Sequence, residues 1–166
     1  MSITKMISTK KLYLLSTFAL ASITVNAADF SGEWKLNESK SNLGQFGRAA
    51  KKLKIAGNVE SMALQRASTN QAGEEVITDE KLTFDEKESE SAVFGNNKKK
   101  SKAKWSDDGK KLTVKSTIVF ERNGQSMEIK TIEVWSLSDD GKTLTIDSTS
   151  ESTRGTNTTK LVYDKA

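Results

Sequence analysis

One phrase occurs twice in the chain and governs what it can fold into. Trp105-Ser106-Asp107-Asp108-Gly109-Lys110-Lys111-Leu112-Thr113-Val114 is answered by Trp135-Ser136-Leu137-Ser138-Asp139-Asp140-Gly141-Lys142-Thr143-Leu144-Thr145-Ile146. Each copy passes from an aromatic strand end, through an acidic turn with glycine, into a strand where apolar residues alternate with Thr or Lys. That is the composition of a β-hairpin. Between the copies, Asn123-Gly124 suits a type I′ turn, because both residues tolerate positive φ. The stretch therefore reads as a meander of antiparallel strands.

Turn lengths then predict register. A two-residue loop at Asn123-Gly124 sets Leu112 opposite Trp135, Val114 opposite Glu133, Ser116 opposite Thr131, Ile118 opposite Ile129 and Phe120 opposite Met127. Four-residue loops at Asp139–Lys142 and Asp107–Lys110 add Leu137 by Leu144, Trp135 by Ile146, Glu133 by Ser148 and Thr131 by Ser150, then Trp105 by Leu112, Ala103 by Val114 and Ser101 by Ser116. A turn at Arg154-Gly155 predicts Ile146 by Tyr163, Ser148 by Leu161 and Ser150 by Thr159. The apolar face of these pairs should point inward, since the opposite face pairs Thr117 with Lys130 and Val119 with Glu128.

An inner surface with a polar middle follows. Ser101, Ser116, Thr131, Ser150 and Thr159 form a belt of successive partners, and Glu133 lies one layer away, toward Trp105, Leu112, Trp135, Ile146 and Tyr163. Each buried polar group without a partner costs on the order of 1–3 kcal/mol, so water or a ligand is expected inside. Glu133 has three readings: a ligand-recognising or proton-transferring carboxylate, a structural acid, or, after a one-residue register slip, a solvent-facing side chain. As an inward acid it should carry a raised pKa unless hydrogen bonds to its charged form compensate.

The remaining strands are shorter. Phe30 to Leu36 places Trp34 and Leu36 on one face; Leu53 and Ile55 mark a second strand, Met62, Leu64 and Arg66 a third, and Val76, Thr78, Leu82 and Phe84 a fourth. Asn37 to Ala50 is rich in Ser, Asn and Gly, with a short helical turn expected near Gln45 to Lys52. Glu86, Glu88 and Glu90 fall on one strand face and Lys98, Lys100, Lys102 and Lys104 on the next. A loop at Gly95-Asn96-Asn97 would set Glu90 opposite Lys102 and Glu88 opposite Lys104. The lysine run is thus read as a solvated face paired with acids in preference to a nucleic-acid patch.

Met1 to Ala27 reads as a secretory signal peptide, with Lys5, Lys10 and Lys11 ahead of an apolar run and a Val25-Asn26-Ala27 ending. Residues 28–166 then form the single domain of a periplasmic or secreted protein with no membrane span. Without those three lysines, 23 basic face 22 acidic residues, and the net charge falls from +4 to +1, which removes the global charge argument for nucleic acid. With no Cys and no His, disulfides, thiol nucleophiles, Ser-His-Asp triads and the commonest zinc sites are excluded. The Asp-Asp-Gly turns lack the further acids of a calcium loop and read as turn chemistry.

The fold class expected is all-β: a single up-and-down antiparallel β-barrel of about 8–10 strands, with closure removing its edges. Phe30-Ser31-Gly32-Glu33-Trp34-Lys35-Leu36 resembles the Gly-x-Trp opening of the calycins, the lipocalins and fatty-acid-binding proteins, and is similar to the fatty-acid-binding branch. The repeated Trp-Ser, Asp-Asp-Gly-Lys, Leu-Thr phrase resembles small exported lipocalin-like proteins of bacteria. The resemblance implies a barrel with Trp34 packed at its closed end and small apolar ligands within. It also implies an Arg-x-Tyr clamp for a fatty-acid carboxylate near the C-terminus. Here Leu161-Val162-Tyr163-Asp164-Lys165 keeps Tyr163 and replaces the Arg with Leu161.

The expectation is an exported binding protein for a lipid-like or other small apolar ligand, acting as a monomer without cofactor or metal. Its site residues are Glu133, Ser101, Ser116, Thr131, Ser150, Thr159, Tyr163, Trp105, Trp135 and Arg66. The three tryptophans read first as core plugs and second as ligand contacts. The alternative is a structural or interaction protein of the cell envelope with a packed barrel and no ligand. Catalysis is not expected, because glycosidase-type chemistry needs two facing carboxylates and only Glu133 is placed inward; Glu80 facing it would reopen the question.

Overall fold

A computed structural model describes residues 27–44, 49–93, 97–122 and 125–166. Ten antiparallel strands follow one another: β1 (Gly32–Leu36), β2 (Lys52–Gly57), β3 (Ser61–Thr69), β4 (Glu75–Thr83), β5 (Ser89–Val93), β6 (Asn97–Trp105), β7 (Lys111–Arg122), β8 (Gln125–Leu137), β9 (Thr143–Ser152) and β10 (Gly155–Lys165). Their order across the sheet is β4-β3-β2-β1-β10-β9-β8-β7-β6-β5, so β1 closes against β10, and β4 and β5 meet as neighbours without a ladder between them. The result is a nearly closed up-and-down barrel.

The repeated phrase is built by turn chemistry. In the first copy, Lys110 N–H donates to the Asp108 carboxylate at 3.0 Å, Lys111 N–H to Ser106 Oγ at 3.0 Å and Ser106 Oγ–H to Asp108 at 2.6 Å. Lys142, Thr143, Ser138 and Asp140 repeat those bonds at 3.0, 3.0 and 2.6 Å. Gly109 and Gly141 take φ of 66° and 67°, the left-handed region, which explains why each copy carries glycine there. The Asn123-Gly124 turn lies outside the described residues, but Arg122 pairs with Gln125 on either side of it.

From that hairpin outward the expected register holds: Val114 faces Glu133, Ser116 faces Thr131, Trp135 faces Ile146, Thr131 faces Ser150 and Ser101 faces Ser116. Two other hairpins slide by two residues. Ser152 pairs with Gly155 around a Thr153-Arg154 turn, so Leu144 faces Tyr163, Ile146 faces Leu161, Ser148 faces Thr159 and Ser150 faces Asn157. Val93 pairs with Asn97, so Glu90 faces Lys100 and not Lys102. Glu86 and Glu88 precede β5, in a bend where Glu86 takes φ 59°. Their partners are accordingly Lys98 for Glu90, Lys100 for Glu88 and Lys104 for Glu86, at 2.6, 3.0 and 3.0 Å. Residues 45–48 of the expected helical turn lie outside the described residues; 49–51 are irregular, Lys52 opens a strand, and the helical piece is instead a 3-10 turn at Glu38–Lys40. Asn37 caps it by accepting from Lys40 N–H, and the segment stays alongside β10, with Asn37 N–H donating to Val162 O and Asn42 bridging Lys160.

One end of the barrel is sealed. Trp34, Leu53, Leu64, Leu82, Leu112, Trp135, Leu144, Ile146 and Tyr163 are all at most 1% exposed. Trp34 donates its indole N–H to Phe30 O at 2.9 Å, and Tyr163 donates its hydroxyl to Ala50 O at 3.0 Å. Phe30 stacks on Trp105 at 5.3 Å and meets Trp135 edge-on at 5.8 Å. Trp34 packs at the sealed end, as the resemblance implied, and all three tryptophans serve as plugs.

Candidate functional site

Strict alternation carries four charged side chains onto the inner face. Arg66 on β3 is in phase with buried Met62 and Leu64, Glu80 on β4 with Leu82, Lys99 on β6 with Ser101 and Ala103, and Glu133 on β8 with Trp135. Arg66 Nε donates to Glu80 at 3.0 Å, while its Nη2 donates to Glu133 at 2.9 and 3.3 Å. Lys99 donates to the other Glu80 oxygen at 2.7 Å. Trp135 Nε1–H donates to Glu133 at 3.0 Å, and the Arg66 guanidinium lies 5.4 Å from the Trp135 ring centroid. β3 and β8 are five places apart in the order of ten strands, so the Arg66–Glu133 pair crosses the lumen; Glu80 and Lys99 span the β4–β5 seam. The four form a charged floor above the sealed core.

Electrostatics lock this floor in its charged form. Burial pushes the Glu133 carboxyl upward, but the attraction of Arg66 and Lys99 and the Trp135 hydrogen bond more than offset it, and the group titrates below its ordinary range. Glu80 behaves alike: burial raises it, Arg66 and Lys99 outweigh that, and the net shift is downward. The exception foreseen for Glu133 thus applies: hydrogen bonds from Arg66 and Trp135 to the charged form compensate its burial, and the guanidinium across the barrel is the partner that the sequence did not place. Tyr163 is pushed up to about 12, mainly by burial. Two inward carboxylates do exist, Glu80 as well as Glu133, and Arg66 together with Lys99 holds both below the usual carboxylate range.

A pH dependence follows from these signs. Both carboxyls titrate lower in the folded chain than in the unfolded one, so their stabilisation is present above the unfolded value of about 4.3 and is lost as pH falls through the lower folded values. Melting temperature is expected to stay level from neutral pH down to about 5 and to fall steeply below about 4. A melting curve that rises on acidification would show the opposite coupling.

Above the floor the inner face changes character. Ser101 and Ser116 are buried, whereas Thr131, Ser148, Ser150, Asn157 and Thr159, and beyond them Val76, Ile118, Phe120, Met127 and Ile129, are half-buried although they share the inward face. Solvent therefore reaches this half of the lumen. Thr131 donates to Ser150 at 3.3 Å, while Ser101 Oγ, on a residue 2% exposed, has no hydrogen-bond partner among the described residues. The structure thus brings together Glu133, Arg66, Trp135 and Tyr163 at the floor and Ser101, Ser116, Thr131 and Ser150 in the belt. Thr159 sits one step down, beside Ser148, and Asn157 takes its predicted place beside Ser150. Trp105 lies apart, at the sealed end, on an outer cleft of about 520 Å³ shared with Phe30, Val59, Met62 and Phe84. Sequence reasoning missed Lys99 and did not place Glu80 inward. The signal was parity: Lys99 is the one lysine of its run in phase with Ser101, and Glu80 is in phase with Thr78 and Leu82.

No family model and no curated protein sequence matches the chain. Among solved structures it is similar to zebrafish ileal bile acid-binding protein in complex with cholic acid, at 18% identity and a TM-score of 0.53, over 82% of this chain and 98% of that one. The chain shares the up-and-down β-barrel fold of that protein. Within this barrel, the floor is built from positions that strand parity alone turns inward, and the half-exposed lumen is the candidate site. None of its described helices is long and apolar enough to cross a membrane.

Proposed function

We propose that the protein is an exported carrier of a small amphipathic molecule, held in the half-open lumen with its apolar part against Val76, Ile118, Phe120, Met127 and Ile129 and its polar end toward the hydroxyl belt. The observation that carries this reading is the graded inner face. It is packed at one end, hydroxyl-lined in the middle and apolar yet solvent-reached at the other, the mixture that ligand pockets use. The similar zebrafish barrel binds cholic acid, itself a hydroxylated amphipath, which supports the same use of this fold. Export rests on residues 1–27, whose removal would leave the Ala28 nitrogen where it donates to Gly109 O at 2.9 Å. N-terminal sequencing of the exported protein should begin at Ala28.

Titration with Nile red, a neutral hydrophobic dye, tests the binding reading. One saturable site is expected, and Ile129→Trp, which fills the lumen, should weaken it at least tenfold. Dye that does not saturate, or saturates equally in the variant, would remove the lumen as the site.

A further inference from the structure

Resting on that reading, we infer that the lumen selects neutral, hydroxyl-bearing amphipaths, such as long-chain alcohols and monoacylglycerols, over carboxylates of the same chain length. The floor below the site is already balanced, with Arg66 and Lys99 against Glu80 and Glu133. Arg66 is committed to both acids and Lys99 to one of them. A ligand carboxylate arriving here would add an uncompensated negative charge beside two existing carboxylates in a place that is 3–14% exposed, and desolvating it would have no repayment.

A hydroxyl meets the opposite situation. Ser101 Oγ is buried and without a partner among the described residues, it faces Ser116 across the ladder, and Thr131 and Ser150 continue the row. A hydroxyl both donates and accepts, so it can satisfy Ser101 whichever way the serine O–H points and join the row at no charge cost. The belt carries no cation of its own, and Lys99, which flanks it two residues from Ser101 on the same face of β6, is already committed to Glu80 at 2.7 Å, so an anion gains little there.

Competition against Nile red decides the matter, using dodecanol and 1-monododecanoylglycerol against dodecanoate at neutral pH. The neutral ligands are expected to displace the dye at least tenfold more effectively than the acid. Ser101→Ala should weaken the neutral ligands several-fold while leaving melting unchanged or higher, since it deletes an unsatisfied polar atom. Glu133→Gln leaves the floor with a surplus positive charge and should move the acid-to-alcohol ratio at least tenfold toward the acid. Dye that binds but is displaced equally or better by dodecanoate, or by none of the three, overturns the selectivity while the lumen remains a binding site. Dye that fails to bind at all removes the site itself.

Discussion

Arg66→Met should be among the most destabilising single changes in the barrel, on the order of 3–5 kcal/mol, because it strips the shared partner from two buried carboxylates and leaves Lys99 alone to balance them. Glu133, deprived of its main attraction but not of its burial, would then titrate above its ordinary range. The companion measurement is the fourfold variant Arg66→Met, Glu80→Leu, Lys99→Met, Glu133→Leu, which removes every charge at once. Chemical denaturation should find it close to the parent, within about 1–2 kcal/mol, since apolar replacements of similar volume often match a buried ion network. It should also lose the steep acid transition. If the single variant is as stable as the parent, the floor is not a coupled network. Glu133→Gln falls between, weaker than the parent by about 1–3 kcal/mol, because Gln keeps an acceptor for Trp135 and Arg66 but unbalances the charge. The sign of that change depends on the cross-lumen bond: without Arg66, neutralising a buried carboxylate would relieve its desolvation and stabilise the barrel.

Trp135→Ala should cost a comparable amount, about 3–5 kcal/mol. The ring is fully buried, meets Phe30 edge-on, lies under Arg66 and faces Leu112 and Ile146 on its two neighbouring strands. Trp135→Phe separates the packing from the polar bond: it keeps most of the buried area but removes the N–H that Glu133 accepts. A loss of about 1–3 kcal/mol is expected, together with an acid transition displaced to higher pH, because the charged carboxyl has lost a donor. Denaturation of the two variants at neutral and acid pH reads both quantities. A Phe variant with the parent's acid transition would mean that the indole N–H does not hold the carboxylate.

The faces of the strands are legible in the chain because alternation has a period of two and burial rewards only one phase. Alternation by itself therefore turns Glu133, Arg66 and the belt Ser101, Ser116, Thr131 and Ser150 inward. The Asp-Asp-Gly-Lys turns, whose length is set by their own side-chain hydrogen bonds, likewise fix the pairings on both sides of each turn. The hairpins that join β9 to β10 and β5 to β6, which have no such turn, slide by two residues, a shift that keeps every side chain on its face and so costs the pattern nothing. It moves Thr159 beside Ser148 and lets Asn157 into the belt. Only the tertiary structure could join Arg66 to Glu133 and Lys99 to Glu80. The first pair crosses the barrel between strands five places apart, and the second spans the seam between the sheet's two ends. Neither contact exists until the sheet closes, and strand periodicity, which specifies neighbours in a ladder, carries no information about what stands opposite across a lumen.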